Sequence, residues 1–171
     1  GALIDENGIF HIMYDKRSGT KFLTYSRDSE TDGAICATPK NGFFEIEYGK
    51  HPDSSEQGLG KKLVGWLCEF SAQMDLQPAR FYAEVSSASA EELNMGSYLT
   101  LLGVGFIPIE RNGGDGIRFV HPCSPLIAQS KILSQIMSAY AQYLENKRVG
   151  LQALMDAIKN AQCTQSQQEH L

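Results

Sequence analysis

The sequence predicts an α+β fold: a mixed, mainly antiparallel central sheet flanked by helices, with a helical extension at its C-terminal end. Three observations predict it. Apolar and β-branched residues form short runs with turn chemistry between them from position 9 to position 48. Directly after a glycine-containing loop at 51–60 the apolar spacing switches to three and four. Beyond Pro125 the pattern stays helical to about Asn160.

Each element has its own signal. Residues 9–14 and 21–25 are rich in aromatic and β-branched side chains, with Arg17-Ser18-Gly19 as the turn of a first hairpin. Asn41-Gly42 separates runs 34–38 and 43–48, and this pair readily takes the positive φ angles of a type I′ turn. Pro39 suits a strand end. Leu63, Val64, Trp66, Leu67 and Phe70 mark one face of a helix that Gln77-Pro78 is expected to close. Residues 80–85 read as a strand, and Ser89-Ala90-Glu91-Glu92 as a capping box opening a second helix through about Leu102. Gly103 and Gly105 end that helix, and 106–110 and 117–120 flank the turn Asn112-Gly113-Gly114-Asp115-Gly116 in a closing hairpin. The C-terminal region carries Leu126, Leu133, Met137, Tyr140 and Leu144, then Leu151, Leu154, Met155 and Ile158, with Gly150 as the expected division. The expected organisation is a domain over 1–124, a helical extension packed on it over 125–161, and a polar, Gln-rich flexible tail over 162–171.

Composition narrows the function classes. The 171 residues include 42% hydrophobic and 20% charged side chains, far from the composition of disordered chains. Fifteen basic against twenty acidic residues leave a net charge of −5, so no general attraction to nucleic acid or anionic lipid is expected. No apolar run approaches the roughly 18 to 20 residues that cross a bilayer, so no membrane partner is expected either. Cys36, Cys68, Cys123 and Cys163 lie far apart, as do His11, His51, His121 and His170. This scatter suits a reducing cytoplasm and supplies no zinc-ligand spacing, so no metal site is expected.

The chemistry concentrates between Phe43 and Leu63. A strand runs into a loop with Gly58 and Gly60 and then into a helix, whose first N–H groups have no helical partner and sit at the positive end of the macrodipole. Such a junction suits a phosphate or pyrophosphate. A Walker A loop would need Gly at Ser55 and Ser or Thr at Lys62, and a dinucleotide fingerprint would need a third Gly at Leu63. The preceding hairpins also argue against a parallel βαβ unit. Glu45 and Glu47 alternate with Phe44, Ile46 and Tyr48, so both carboxylates share one strand face.

The segment resembles the acyl-CoA-binding motif of the GNAT superfamily of N-acetyltransferases. His51-Pro52 takes the family's Pro step, and Ser55-Glu56-Gln57-Gly58-Leu59-Gly60-Lys61-Lys62-Leu63 follows in register with its Arg/Gln-x-x-Gly-x-Gly/Ala loop and helix. The order of elements from about Ala34 to Val120 is also similar. Ser55 stands where the family usually has Arg or Gln. Ser86, Ser87 or Ser89 replaces its Asn, and Tyr98 aligns with its proton-donating tyrosine only across a gap. The resemblance implies acetyl-CoA or another acyl-CoA as acyl donor and an amine-bearing acceptor, protein or small molecule. Ser55, Glu56, Gln57, Gly58, Leu59, Gly60 and Lys61 would hold the pyrophosphate, with Lys62 beside them. Tyr48, Gly49 and Lys50 would meet pantetheine and the thioester where the strand splays from its neighbour, Gly49 suiting a bulge. Glu45 or Glu47 would be the base and Tyr98 the acid that protonates the leaving thiolate. The alternative is a non-catalytic relative that uses its sheet and C-terminal helices as an interaction module. Those helices are expected to cover the sheet, with a homodimer or a protein partner as the competing role.

Overall fold

The computed structural model describes residues 2–4, 8–27, 30–85, 93–111 and 116–169, with the side chains of Ala2, of Gln129 and of the residues beyond Gln162 excluded. The chain forms two compact units, Gly1–Ala83 and Glu84–Leu171.

In the first unit, β1 (Ala2–Ile4), β2 (Ile9–Tyr14), β3 (Lys21–Ser26), β4 (Thr31–Lys40) and β5 (Phe43–Lys50) pair in sequence order, each antiparallel to the next. Helix α1 (Leu59–Glu69) and a 3₁₀ turn (Pro78–Arg80) lead to β6 (Phe81–Glu84), which pairs parallel with β5. The local chemistry explains the hairpins. Asn41 and Gly42 both take positive φ, 51° and 83°, as a type I′ turn requires, and Asp15 gathers Arg17 N–H and Ser18 O–H to its carboxylate in the β2–β3 turn. Arg80 donates to the Gly42 carbonyl at 3.0 Å and lies over the Phe43 ring, tying the 3₁₀ turn to the β4–β5 hairpin.

One face of this sheet is the core. Phe10, Leu23, Tyr25, Ile35, Ala37 and Ile46 are buried there, and α1 contributes Leu59, Leu63, Val64 and Leu67. Rings of Phe10, Tyr25 and Trp66 meet with centroids 4.7–5.4 Å apart. The helix sits so close that a Cβ at Gly33 would come within 2.8 Å of Leu59 Cδ2 and 3.1 Å of the Gly49 carbonyl oxygen.

Two expectations are corrected in this unit. The β5–α1–β6 segment is a parallel crossover, although the hairpins before it had argued against one: β5 keeps β4 on one edge and takes β6 on the other. Helix α1 stops at Glu69, short of Gln77-Pro78, because Phe70 and Ser71 turn back onto the carbonyls of Trp66 and Cys68 and Asp75 adopts φ 54°.

The second unit contains α2 (Met95–Gly103), β7 (Ile107–Glu110), β8 (Ile117–Val120), a 3₁₀ turn (Ile127–Gln129), α3 (Leu133–Glu145) and α4 (Lys147–Glu169). Strands β7 and β8 form the closing antiparallel hairpin. The capping box at 89–92, the turn residues 112–115, and Ser86, Ser87 and Ser89 lie outside the described residues. Leu93 and Asn94 are not helical, so α2 begins later than expected, at the residue after Asn94, whose Oδ1 accepts from Ser97 N–H. Glu84 accepts from Arg118 at 2.6 Å and pairs with Arg111 at 3.2 Å.

The division of the C-terminal helices is also corrected. The chain breaks at Asn146, extended at φ −148°, whose side chain then caps α4 through Val149 N–H. Gly150 lies inside α4, buried, and a Cβ there would run into the backbone of Tyr143. Its role is close approach of two helices and not division. Helix α4 extends to Glu169, into the stretch read as a tail.

Candidate functional site

The candidate site of the first unit is built from the end of β5, the loop after it and the first turn of α1. Against β4, strand β5 is regular over its whole length, from Lys40↔Phe43 to Gly33↔Lys50, so the expected bulge at Gly49 is absent. Against β6 it is registered at Phe44↔Phe81 and Glu45↔Tyr82.

The loop folds on local bonds. His51 N–H donates to the Asp32 carbonyl at 2.7 Å, Asp53 N–H to His51 Nδ1 at 3.1 Å, and Glu56 N–H to Ser54 Oγ at 3.3 Å. Gly58 then takes φ 66° and ψ 26° as the N-cap of α1, a left-handed conformation that L side chains resist. No side chain caps this helix and no acidic residue occupies its first turn. The first internal bond runs from Lys62 N–H to the Gly58 carbonyl, which leaves the amides of Leu59, Gly60 and Lys61 at the positive end of the dipole. A Cβ at Gly49 or Gly58 would meet no atom within 4 Å. The space over both glycines is open to a Cβ.

Side chains of the loop divide into two groups. Ser55, Gln57 and Lys61 are exposed around Gly58. Leu59 is turned into the core and offers only its backbone. Glu56 is turned inward too, its side chain 8% exposed, and binds Lys62 Nζ at 3.0 Å, Arg27 Nη1 at 2.8 Å and the Tyr25 hydroxyl at 3.2 Å. The Lys62 hydrogen bond, above all, holds its carboxyl below the ordinary value, with the Lys62 and Arg27 charges and the Tyr25 hydroxyl adding to it against the opposing effect of burial. Tyr25 and Arg27 escaped the sequence reading. They precede Glu56 by about thirty residues, and no local pattern links a strand tyrosine to a loop carboxylate.

Glu45 and Glu47 share the face opposite the core, beside Thr38 and Cys36 respectively. Glu45 is held by Lys40 Nζ at 2.7 Å, whereas Glu47 is exposed and two residues closer to Tyr48, Gly49 and Lys50. Burial and then the Glu47 charge push the Cys36 thiol up from its usual range.

Tyr98 belongs to the second unit. It is buried on α2, edge-on to Phe119 at 5.7 Å, and its hydroxyl accepts from Gln162 Nε2 at 2.8 Å. Burial pushes its pKa up to about 12, the Gln162 bond opposing that rise.

No protein-family model matches the sequence, and no curated protein does either. Among solved structures the chain is similar to yncA, a candidate acetyltransferase from Salmonella typhimurium solved with its cofactor acetyl-CoA, at 18% identity and a TM-score of 0.40 over 60% of this chain and 62% of that one. The chain thus spans less than two thirds of that protein's length. It is also similar to a candidate acetyltransferase of the GNAT family from Bacteroides thetaiotaomicron, at 22% identity and a TM-score of 0.47 over 67% of each chain.

Proposed function

We propose that this protein binds acetyl-CoA or another acyl-CoA and transfers the acyl group to a primary amine, of a protein or a small molecule, by direct attack. One observation carries the reading. Strand β5, registered with β6 at Phe44 and Glu45, runs on through the glycine loop into the uncapped first turn of α1, so the end of a strand and a set of outward amides follow one another along the chain. That sequence of donors matches a ligand with an amide-bearing arm joined to a pyrophosphate.

In this reading the amides of Leu59, Gly60 and Lys61 hold the pyrophosphate, and exposed Ser55, Gln57 and Lys61 surround it. The backbone of Tyr48, Gly49 and Lys50 orients the pantetheine arm and polarises the thioester carbonyl. Glu56 serves from beneath, fixing the loop to β3. The acceptor must arrive as a free amine, and a strand carboxylate takes the proton as the C–N bond forms and the C–S bond breaks. Glu47 is the stronger candidate, because Lys40 already occupies Glu45.

Calorimetric titration of the folded protein with acetyl-CoA at moderate salt tests the proposal. Saturable binding that is lost when Gly58 and Gly60 are replaced by bulky residues supports it. A folded sample with no saturable binding removes the enzyme reading and leaves the interaction module.

A further inference from the structure

Strand β5 leads to the glycine loop from its Lys50 end; at its Phe43 end lies a surface cavity of about 370 Å³, between the β4–β5 turn and the stretch that carries Asp75, Gln77 and Arg80. That volume falls within the roughly 300–1,000 Å³ of small-molecule sites. Every residue lining it belongs to Gly1–Ala83. The eight-residue strand holds the cavity roughly 23 Å from the start of the loop, at about 3.3 Å a step.

The cavity is organised around Arg80. Gln77 Oε1 accepts from its Nε at 3.1 Å, the Gly42 carbonyl accepts from Nη1 at 3.0 Å, and Cζ stands 5.6 Å from the centre of the Phe43 ring. These contacts fix the guanidinium although the side chain is exposed. They use two of its five N–H groups, and among the described residues no carboxylate pairs with it. The acids at this end have other cations beside them: Lys40 Nζ holds Glu45 at 2.7 Å, and Lys21 Nζ donates to the Asp75 carbonyl at 3.2 Å. Arg80, Lys40 and Lys21 against Glu45 and Asp75, three cations to two carboxylates, leave one local positive charge in a chain of net −5. Pro39, Phe43 and Phe44 make the apolar part of the wall.

We propose that this cavity is a binding site for a small aromatic monocarboxylate, separate from the site of acyl transfer, with the carboxylate on the free N–H groups of Arg80 and the ring against Pro39, Phe43 and Phe44. A guanidinium offers parallel N–H donors that match the two oxygens of a carboxylate. Because Arg80 is already held by Gln77 and Gly42, binding costs little of its side-chain freedom. The aromatic wall rewards a flat apolar body. Inorganic phosphate would meet the cation but leave that wall unused and bring further negative charge toward Asp75.

The test titrates the full chain with phenylacetate at millimolar concentration and follows the backbone amides by proton–nitrogen NMR. Saturable shifts are expected at the β4–β5 turn, Gln77 and Arg80, with the amides of Gly58 to Lys61 unmoved. Phenylacetamide, which has the same shape without the charge, should bind the parent protein at least about tenfold more weakly, the worth of a charge-assisted hydrogen bond. Arg80→Gln, with its amide spectrum confirming the fold, should weaken phenylacetate binding by a similar factor. The phenylacetamide comparison needs no variant, so it decides the matter even where Arg80→Gln loosens the hairpin. Absence of saturable shifts, shifts confined to Gly58–Lys61, or equal binding of phenylacetamide or of inorganic phosphate overturns the proposal. No coenzyme enters the titration, so its outcome is independent of the acyltransferase reading.

Discussion

Glu56 shows how one inward side chain shapes an outward-facing site. Its carboxylate is nearly enclosed, while Lys62 and Arg27, the cations on it, are 48% and 65% exposed. Replacing Glu56 by Gln should therefore cost on the order of 1 kcal/mol at neutral pH, the range of partly solvated ion pairs. Because the folded state holds this carboxyl below its ordinary value, its contribution is complete above the unfolded carboxylate range, near pH 4.3, and is lost as pH falls through the lower folded value. Denaturant unfolding at a series of pH values should thus show the parent and Glu56→Gln converging in acid and separating above about pH 5. A gap that stays constant with pH would show that the carboxylate charge contributes nothing. On the opposite face, Glu47→Gln should lower kcat by roughly 10²- to 10⁴-fold, the range for loss of a general base. Glu45→Gln should do less, since its carboxylate already serves Lys40. Comparable losses in both variants would return the base assignment to the pair.

At the scale of elements, the glycines that govern packing are distinct from those that suggested a ligand. Gly33 lies where α1 crosses β4, and its missing Cβ leaves room for Leu59 and Leu63. Gly33→Ala must push the helix outward or strain Leu59, so its denaturation midpoint should fall by the equivalent of about 1–3 kcal/mol. Gly58→Ala meets open space and should cost about 1–2 kcal/mol, from its left-handed backbone alone. Gly58→Asn should recover part of that loss, whereas Gly33→Asn should recover none. Equal rescue at both sites would refute the distinction. The same contrast marks what could be read from sequence. Asn41-Gly42 and the bounds of β2 were legible because adjacent residues set them, and the strand–loop–helix junction was legible because glycine spacing marks it. The end of α1, the start of α2 and the break at Asn146 depend on competing caps: Ser71 on Cys68, Asn94 on Ser97, and Asn146 on Val149. In each case periodicity continued past a residue whose side chain offered the backbone another bond. Three-residue β1 is too short for any period to register, and the Glu56 cluster joins residues that only the folded sheet brings together.

For the whole molecule, the net charge of −5 opposes the approach of a polyphosphate ligand, so binding must come from a local reversal of sign. Around α1 that reversal is present: Arg27, Lys61 and Lys62 accompany the uncapped amides, with Glu56 as the carboxylate paired to two of those cations. Salt screens both contributions, but the distant repulsion loses more than contacts at hydrogen-bond range, since the Debye length is about 10 Å at 0.1 M. Acetyl-CoA should accordingly bind with only a shallow dependence on ionic strength. At a concentration about 100 times its Kd it should stabilise the state that binds it by about 2.7 kcal/mol. For cooperative unfolding of a chain this long, that corresponds to a Tm rise of about 5–10 °C. Because the loop and α1 belong to Gly1–Ala83, a thermogram with two transitions should show the shift in that unit's transition. Hydrogen exchange should resolve it further, with ligand protecting the amides of Gly58 to Lys61 while those of α3 keep their rates. Protection confined to α3, or no Tm change at saturating acetyl-CoA, would mean that the amides of α1 are not the anion site.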